Sequence, residues 1–531
     1  MKAVYKATAI GNIYYYDPMR SRVRTYKIMD VDAEINRLTV AKATVKAQLN
    51  DICDKALNHV GDTGNAIIKV YTMMIDDVSY ADDIKNIIRD EKINAEAALL
   101  RVSNELIQMF GGMSDKYMKD RQYDVRDITE RMLDALNGKE KTLNIDEPVI
   151  IMAKELSLSN LLAIDRTKIK GLVVRYGSIN SHLSIMARNM GIPTLIGVRV
   201  SEEYHGRQAV IDGPGCKLII DPTDEECAYY NDVLKKEYNN KQLLYELKGI
   251  TTKTHSGQAV SLYANVNGVG DIEGVLANGA EGIGLFRSEF LFMGRNDIPD
   301  EEEQFEVYKN VIESLKGKNV TIRTLDMGAD KLPLNADFRI DNNPALGHRG
   351  IRVSLLNPEL FKIQLRAIYR ASVYGVVTVM FPIITSVSEI RRIKDIIDEV
   401  KRELRRENIP YKDIRIGAMI ETPAAVMIAD LLAKEVDFFS IGTNDLTQFA
   451  LALDRMNEDL DMFYDEHHES IFRMIEMVVK AGHDAGIRVG ICGELASDES
   501  LTNWFIEHGV DALSVAPAFV LPIRQKILFH E

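Results

Sequence analysis

The stretch at 171–197, GLVVRYGSINSHLSIMARNMGIPTLIG, holds one histidine in a setting suited to carrying a charged group. Residues 171–176 are apolar apart from Arg175 and read as a short buried strand. Gly177 and Ser178 break it. Ser181 is then placed to cap a helix, its side-chain oxygen accepting from the free N–H groups of the first turn. Leu183, Met186, Ala187 and Met190 continue at helical spacing until Gly191 and Pro193 close the helix. His182 thus falls in the first turn, at the positive end of the helix dipole, where a phosphate is readily held. A neutral imidazole there stays unprotonated and nucleophilic, and a phosphorylated one meets backbone donors. The plainer alternative is a surface or packing histidine that happens to follow an N-cap.

A second group of polar residues stands where short apolar runs end. It comprises Asn265, Arg287 with Glu289, Arg323 with Asp326, Glu421, Asn444 with Asp445, and Cys492 with Glu494. Arg287 and Arg323, joined by Arg349 and Arg455 from loops, carry guanidinium forks that match phosphate and carboxylate oxygens bidentately. Glu421 and Asp445, carboxylates with no His or Cys at metal-site spacing, suit Mg²⁺, a hard ion that keeps waters and shares substrate oxygens. Asn444 adds a neutral ligand. Cys492 is a candidate proton donor and reads equally as a small buried residue behind a strand. Taken singly, each arginine reads as a surface ion pair. As a set, with a divalent ion, they balance a small ligand bearing both phosphate and carboxylate. If His182 accepts a phosphoryl group held there, catalysis is mainly positioning and charge neutralisation. The enolate left behind needs a proton, which Cys492 can supply as general acid.

The elements that position these residues follow from hydrophobic rhythm. Beyond residue 253, apolar runs recur at 260–266, 282–286, 320–325, 376–381, 416–420, 438–441, 487–491 and 512–515, separated by helical stretches. Eight such runs predict a (β/α)₈ barrel, whose active site forms where the strands' C-terminal ends meet. Upstream, residues 1–24 suggest a strand or two, and 29–137 turn helical. One stripe runs through Ala33, Leu38, Ala41, Val45, Leu49, Ile52 and Leu57, with Asp30 near its start. A second begins at Ile67, Val70, Met73 and Met74 and continues through Ile84, Ile87 and Ile88; further helices are expected at 97–109 and 124–136. The methionines of these stripes read as core. Strand signals return at 149–152, 172–174, 194–196 and 209–211, then at 217–220 after an Asp-Gly-Pro-Gly turn. β-type sequence on both sides of the helical block marks it as a bundle inserted into an α/β domain. Residues 224–248 read as a connecting helix.

Bulk properties agree with a soluble chain: 46% hydrophobic and 27% charged residues, with no apolar signal core and no membrane-length run. Cys53, Cys216, Cys227 and Cys492 form no disulfide framework and match no zinc spacing, so a cytoplasmic protein is expected. The net charge of −14 argues against nucleic acid as a ligand and leaves a basic protein partner open.

Across nearly its whole length the chain resembles Enzyme I of the phosphoenolpyruvate (PEP)-dependent sugar phosphotransferase system. The resemblance rests on SINSHLSIMAR around His182, EGIGLFRSEFLFMGR at 281–295, RTLDMGADK at 323–331 and NPALGHRGIR at 343–352. It continues in MIETPAA at 419–425, FFSIGTNDLTQFALALDR at 438–455 and GICGELASDE at 490–499. DKYMKDRQYDVRDITERML at 115–133 is similar to the family's helical region that docks the small carrier protein HPr. The resemblance implies that His182 takes the phosphoryl group of PEP on Nε2 and passes it to a histidine of HPr, the first step of sugar uptake. It implies that Glu421 and Asp445 bind Mg²⁺ and that Cys492 protonates the enolate. It implies that Arg287, Arg323, Asn444, Asp445 and Arg455 hold PEP, with Lys331 and Arg349 nearby. It further implies a cytoplasmic homodimer joined through its barrels, with no membrane insertion.

The expected fold class is therefore multidomain α/β. A phosphohistidine α/β domain (1–24 and 145–223) carries an inserted helical, HPr-binding subdomain (25–144). A linker helix (224–252) leads to the PEP-binding and dimerisation barrel (253–531). Some positions depart from the family pattern Gly-Gly-x-Thr-Ser-His, with Ser178 at the second glycine and Asn180 at the threonine. Ala329 stands where a glycine is usual, His348 where an aromatic residue is usual, and 464–472 lack the family's prolines. The family pattern also runs past Glu531, so its last helices are expected to be absent or short. Two rival readings remain. A pyruvate phosphate dikinase or PEP synthase relative shares the histidine and barrel, but needs an ATP-binding domain where this chain reads as helices without a glycine-rich loop. A regulatory paralogue that binds PEP with little turnover is the reading that Ser178 and Asn180 motivate.

Overall fold

The computed structural model describes residues 1–16, 23–56, 71–112, 116–138, 145–177, 182–293, 295, 297–328, 341, 343–455 and 457–530. These residues fall into two units, Met1–Asn240 and Lys241–Glu531.

The first unit is built on a sheet of β1 (Lys2–Tyr5), β2 (Thr8–Tyr16), β3 (Val149–Ala153), β4 (Ile169–Val174), β5 (Thr194–Ile196), β6 (Gln208–Asp212) and β7 (Lys217–Ile220). Its spatial order is β1-β5-β4-β3-β2-β6-β7. The four central strands β2 to β5 are parallel, while β1 at one edge and the β6–β7 hairpin at the other run antiparallel. In the hairpin turn the Asp212 carboxylate accepts from the N–H of Gly215 at 2.8 Å, as the Asp-Gly-Pro-Gly sequence predicts.

Both faces of the sheet are covered, and the pleat sends alternate residues of one strand to different cores. On β3, Ile150 and Met152 join a cluster with Ile13, Val173 and Ile211. Ile151 and Ala153 face the other way, into a cluster with Leu38, Val45, Leu99 and Met132 of the helical block. That block follows β2 and returns to β3, the neighbouring parallel strand, so it sits within a crossover connection. This bears out the inserted bundle.

The block contains the helices Val31–Ala56, Val78–Glu91, Ala95–Gly111 and Lys116–Leu136. The second apolar stripe, read from sequence as one continuous helix, is interrupted. Helical residues 71–76 stop at Asp77, whose side chain accepts from the N–H of Tyr80 and caps a new helix. The 3.6-residue rhythm persists across the break because both pieces bury their apolar faces in the same core. Ile67 and Val70 lie outside the described residues.

In the second unit β8 (Ser261–Val266), β9 (Gly282–Arg287), β10 (Asn319–Arg323), β11 (Val376–Phe381), β12 (Arg415–Ile420), β13 (Phe438–Ile441), β14 (Arg488–Ile491) and β15 (Ala512–Val515) close into a barrel. Each strand is parallel to its neighbours, and the order around the barrel is the order in sequence. The expected eight-stranded barrel is thus present, with β10 ending at Arg323 rather than at Leu325. Its outer helices are amphipathic: Val387–Arg406 buries Ile390, Ile393, Ile397, Val400 and Leu404. Ser386 and Glu389 begin that helix as a capping box. The connecting helix spans Asp224–Glu246. No described helix is long and apolar enough to cross a membrane.

Ser386→Ala removes the acceptor for the Glu389 N–H and should cost the barrel about 1 kcal/mol. The expected readout is a lower midpoint of the barrel's calorimetric transition; an unchanged midpoint means that solvent replaces the cap without loss.

Candidate active site

Parallel strands bring their C-terminal ends to one mouth of the barrel. Asn265 lies near the end of β8, and Arg287 and Arg323 end β9 and β10. Glu421 and Cys492 are the first residues beyond β12 and β14, while Asn444 and Asp445 open the helix Thr443–Ala450 after β13. The strand-end residues picked out in the sequence therefore share one rim.

The arginines are not free there. Arg323 places Nη2 3.0 Å from Glu289 Oε1 and Nη1 3.0 Å from Asp326 Oδ2. Arg349 takes the same Asp326 from its other side, Nε to Oδ1 at 3.0 Å and Nη2 to Oδ2 at 3.1 Å. The same guanidinium donates to Asp445, Nη1 to Oδ1 at 3.1 Å and Nη2 to Oδ2 at 2.9 Å. Arg455 follows, 3.7 Å from Asp445 Oδ1. The result is a row of alternating charge: Glu289, Arg323, Asp326, Arg349, Asp445, Arg455. Burial alone would raise the Asp326 carboxyl, but Arg323 and Arg349 outweigh it and hold the group below the ordinary carboxylate range. Glu289 and Asp326 were noted in the sequence only as polar strand ends. Their role as counter-charges was missed, although the three-residue spacing of Arg323 and Asp326 past a strand end was a usable signal.

Two groups lack such compensation. The guanidinium of Arg287 donates to Asn267 Oδ1 at 2.5 Å. Burial, and then the like charge of Arg323, lower its pKa, so the charged form gains from an incoming anion. Glu421 is 1% exposed. Burial first, then the charges of Asp326 and Asp445, push its carboxyl up to about 8. Its Oε1 accepts from the N–H of Ile383 at 2.6 Å. Ile383 makes that contact from φ 53°, a left-handed conformation costly for a β-branched residue. The Ile383 side chain is packed against Gly350, where a Cβ would stand 2.9 Å from Cγ1. Gly442 plays a similar part on the other side, because a Cβ there would lie 2.7 Å from Glu421 Oε2.

Cys492 is buried among Leu285, Met380 and Met419. Burial above all, helped by Glu421, outweighs a hydrogen bond with Ser440 and the charges of Arg323 and Arg287, and the thiol is pushed up to about 11. The sulfur therefore holds its proton at neutral pH. Asn265 Nδ2 fixes the Cys492 carbonyl at 2.9 Å, and Asn444 Oδ1 accepts from the N–H of Glu494 at 2.7 Å. Around this mouth Glu289 Oε2, Arg323 Nε, Thr324 Oγ1 and Thr443 Oγ1 are buried without a hydrogen-bond partner. Such orphans belong where a ligand or water completes the set.

Glu421 and Asp445 offer carboxylate oxygens only. Among the described residues no group of three or more His, Cys, Asp or Glu gathers as a metal cage. Two hard carboxylates without a cage fit Mg²⁺, which completes its octahedron with waters and substrate oxygens, and a cation there relieves the repulsion felt by Glu421. In the first unit, His182 is the first residue of the helix His182–Asn189, which buries Met186 and Ala187 and ends before Gly191 at φ 60°. The His182 side chain, Ser178, Asn180, Ser181, Ala329 and Lys331 lie outside the described residues. His348 is held by Asp341, its Nδ1 2.8 Å and its backbone N 2.6 Å from Oδ2.

The family models that match are those of the PEP-utilising enzymes: the N-terminal domain over 2–121, the mobile domain over 145–215 and the PEP-binding domain over 241–530. The chain is 39% identical over 530 residues to a phosphoenolpyruvate-protein phosphotransferase of Priestia megaterium, covering 99% of this chain and 92% of that one. It is 37% identical over 531 residues to one of Staphylococcus epidermidis, with 99% and 93% covered. A third, from Staphylococcus carnosus, is 38% identical over 505 residues, with 94% and 88% covered.

An acid whose folded-state pKa is raised contributes stability that is present at low pH and lost as pH rises through the folded value. For Glu421 that loss runs from the ordinary carboxylate range up to about 8. Glu421→Gln keeps an acceptor for Ile383 and removes the buried charge. In metal-free buffer above this pH it should make the barrel more stable than the parent by roughly 1–3 kcal/mol. Melting curves across the pH range should show the advantage vanish in acid; a variant less stable at every pH refutes the assignment of strain to Glu421.

Proposed function

The chain belongs to the phosphoenolpyruvate-protein phosphotransferases, the Enzyme I family of PEP-utilising enzymes, and from that premise we propose that His182 is the residue it phosphorylates. The Nε2 lone pair of His182 attacks the phosphorus of PEP, and the P–O bond to the enol oxygen breaks as the N–P bond forms. The enolate of pyruvate stays in the barrel mouth. Cys492 gives its thiol proton to the methylene carbon, pyruvate forms, and the thiolate recovers a proton from water. His182 then passes the phosphoryl group to a histidine of HPr, the step that feeds sugar uptake. The His182 helix has to reach the barrel mouth and leave it again in each cycle.

Arg287, Arg323, Asn444 and Arg455 hold the phosphate and carboxylate of PEP, with Lys331 and Arg349 beside them. Arg349 already serves Asp326 and Asp445, so it takes substrate oxygens by sharing or exchanging those contacts. Glu421 and Asp445 would hold Mg²⁺, which supplies counter-charge to the phosphate and carboxylate oxygens. The protein works in the cytoplasm as a homodimer joined through its barrels.

The observation that carries this reading is the barrel mouth itself. It combines an under-compensated guanidinium at Arg287, a carboxylate pair at Glu421 and Asp445, and a protonated thiol at Cys492. The helical block between β2 and β3 lies, up to residue 121, within the span matched by the PEP-utilising N-terminal model, which favours this reading over a dikinase with a nucleotide domain there.

Incubation with ³²P-labelled PEP and Mg²⁺ should give acid-labile label on His182 that chases onto added HPr. His182→Ala should take up none. Cys492→Ala should still pass phosphate to HPr but release ketonised pyruvate slowly. Label on histidine in His182→Ala sinks the assignment, and a wild-type protein that binds PEP without labelling is the regulatory paralogue instead.

A further inference from the structure

The barrel also opens at its other, N-terminal end, and there its interior is not filled by the branched aliphatic layers usual in such barrels. A cavity of about 70 Å³, open to solvent, lies there. Gly284, Gly490 and Ala512 are among the small residues on its wall, and Thr321, Thr378 and Tyr263 supply hydroxyls. Arg415 and Arg488, the first residues of β12 and β14, add two guanidiniums. Among the described residues no carboxylate lines it.

The polar groups of this cavity are incompletely matched. The exposed Arg415 side chain makes no hydrogen bond or ion pair among the described residues. Arg488 commits only Nη2, to Ser261 Oγ at 3.0 Å and the Asp511 carbonyl at 2.9 Å. The acidic side chains at nearby strand starts are engaged by backbone: Asp437 accepts from Ile416 N–H and Asp511 from Val489 N–H, each at 2.8 Å. Asn319 donates Nδ2 to Thr321 Oγ1 at 3.0 Å, and Thr378 donates to the same oxygen at 2.8 Å. Asn319 Oδ1 is left buried with no donor. Two cations with spare N–H groups and one orphaned acceptor describe a complement with negative oxygens and one hydroxyl.

We propose that this cavity binds a small oxyanion bearing a hydroxyl donor, of the class of monohydrogen phosphate or a short hydroxy acid. The guanidiniums of Arg415 and Arg488 take its charged oxygens, and its O–H reaches Asn319 Oδ1. The site is distinct from the catalytic mouth, from which the layer of Leu285, Met380, Met419 and Cys492 separates it. It is nonetheless only one hydrogen bond away. Ser440 lines the cavity and bonds the Cys492 thiol. Ser514, also on its wall, donates to Asn265 Oδ1 at 2.7 Å.

Threonine-methyl NMR on the full chain separates the two ends of the barrel. Thr321 and Thr378 report the cavity, whereas Thr324 and Thr443 report the catalytic mouth. Titration with inorganic phosphate at constant ionic strength should move the Thr321 and Thr378 methyls saturably. Arg415→Gln/Arg488→Gln should weaken that response by about tenfold or more, as loss of charge-assisted forks requires, and leave PEP turnover unchanged. Asn319→Asp, a near-isosteric change that adds a negative charge at the orphaned acceptor, should abolish it. Saturation by lactate at lower concentration than phosphate supports the site and assigns it to hydroxy acids. Methyl shifts confined to the catalytic mouth, reproduced by chloride, or unchanged in the double variant overturn the proposal and leave a water-filled cavity.

Discussion

The Arg349 guanidinium, shared between Asp326 and Asp445, is the contact on which the catalytic end of the barrel depends. Buried charges are costly unless geometry and hydrogen bonding are both good. Here four N–H···O contacts of 2.9–3.1 Å meet that condition. They tie the loop after β10 to the helix after β13, two elements with no sheet pairing between them. Each carboxylate is then passed on, Asp326 to Arg323 and Asp445 to Arg455. Removing any one member strands a charge on its neighbour, so the row holds together as a unit.

That row explains why the remaining charges are left exposed to strain. With Asp326 and Asp445 fixed by Arg349, Glu421 is pressed between like charges, and with Arg323 satisfied, Arg287 faces a like charge of its own. The scaffold enforces these unfavourable states. Ile383 is kept at positive φ by the close fit of Gly350, itself at φ 58° and directly after Arg349, so the backbone that aims an N–H at Glu421 is packed against the residue that anchors the ion row. A mouth that holds two such groups is poorly balanced, and the surrounding barrel core supplies the stability that tolerates it.

The sequence disclosed more of the architecture than of the electrostatics. All eight barrel strands were legible because each is a short apolar run, six of them ending at a polar residue, and the parallel closure then forces those ends together. The inserted bundle was legible because β-type patterns flank it. The break at Asp77 was not, since apolar spacing is blind to a cap that leaves the buried face unchanged. In the sequence each arginine read singly as a surface ion pair and the group as a match for a phosphate- and carboxylate-bearing ligand, with no partner identified. The structure shows Arg323 and Arg349 compensated by Glu289, Asp326 and Asp445, because pairing across strand ends depends on barrel geometry that linear spacing does not encode. Ile383 carries no sequence signal at all: a β-branched residue at positive φ is what propensity argues against.

Cys492 shows how one environment bears on both readings of it. As a small apolar side chain it completes the layer with Leu285, Met380 and Met419, and that burial is the largest influence keeping its thiol protonated. A donor must hold its proton until the enolate forms, yet release it to carbon once negative charge has accumulated nearby. Arg323 and Arg287 supply the opposing pull: they favour the thiolate, as they favour any anion at the mouth. The apolar packing and the guanidiniums thus act in opposite directions on one sulfur. The packing that makes Cys492 a core residue is also what would keep its proton in place for the donor role proposed for it.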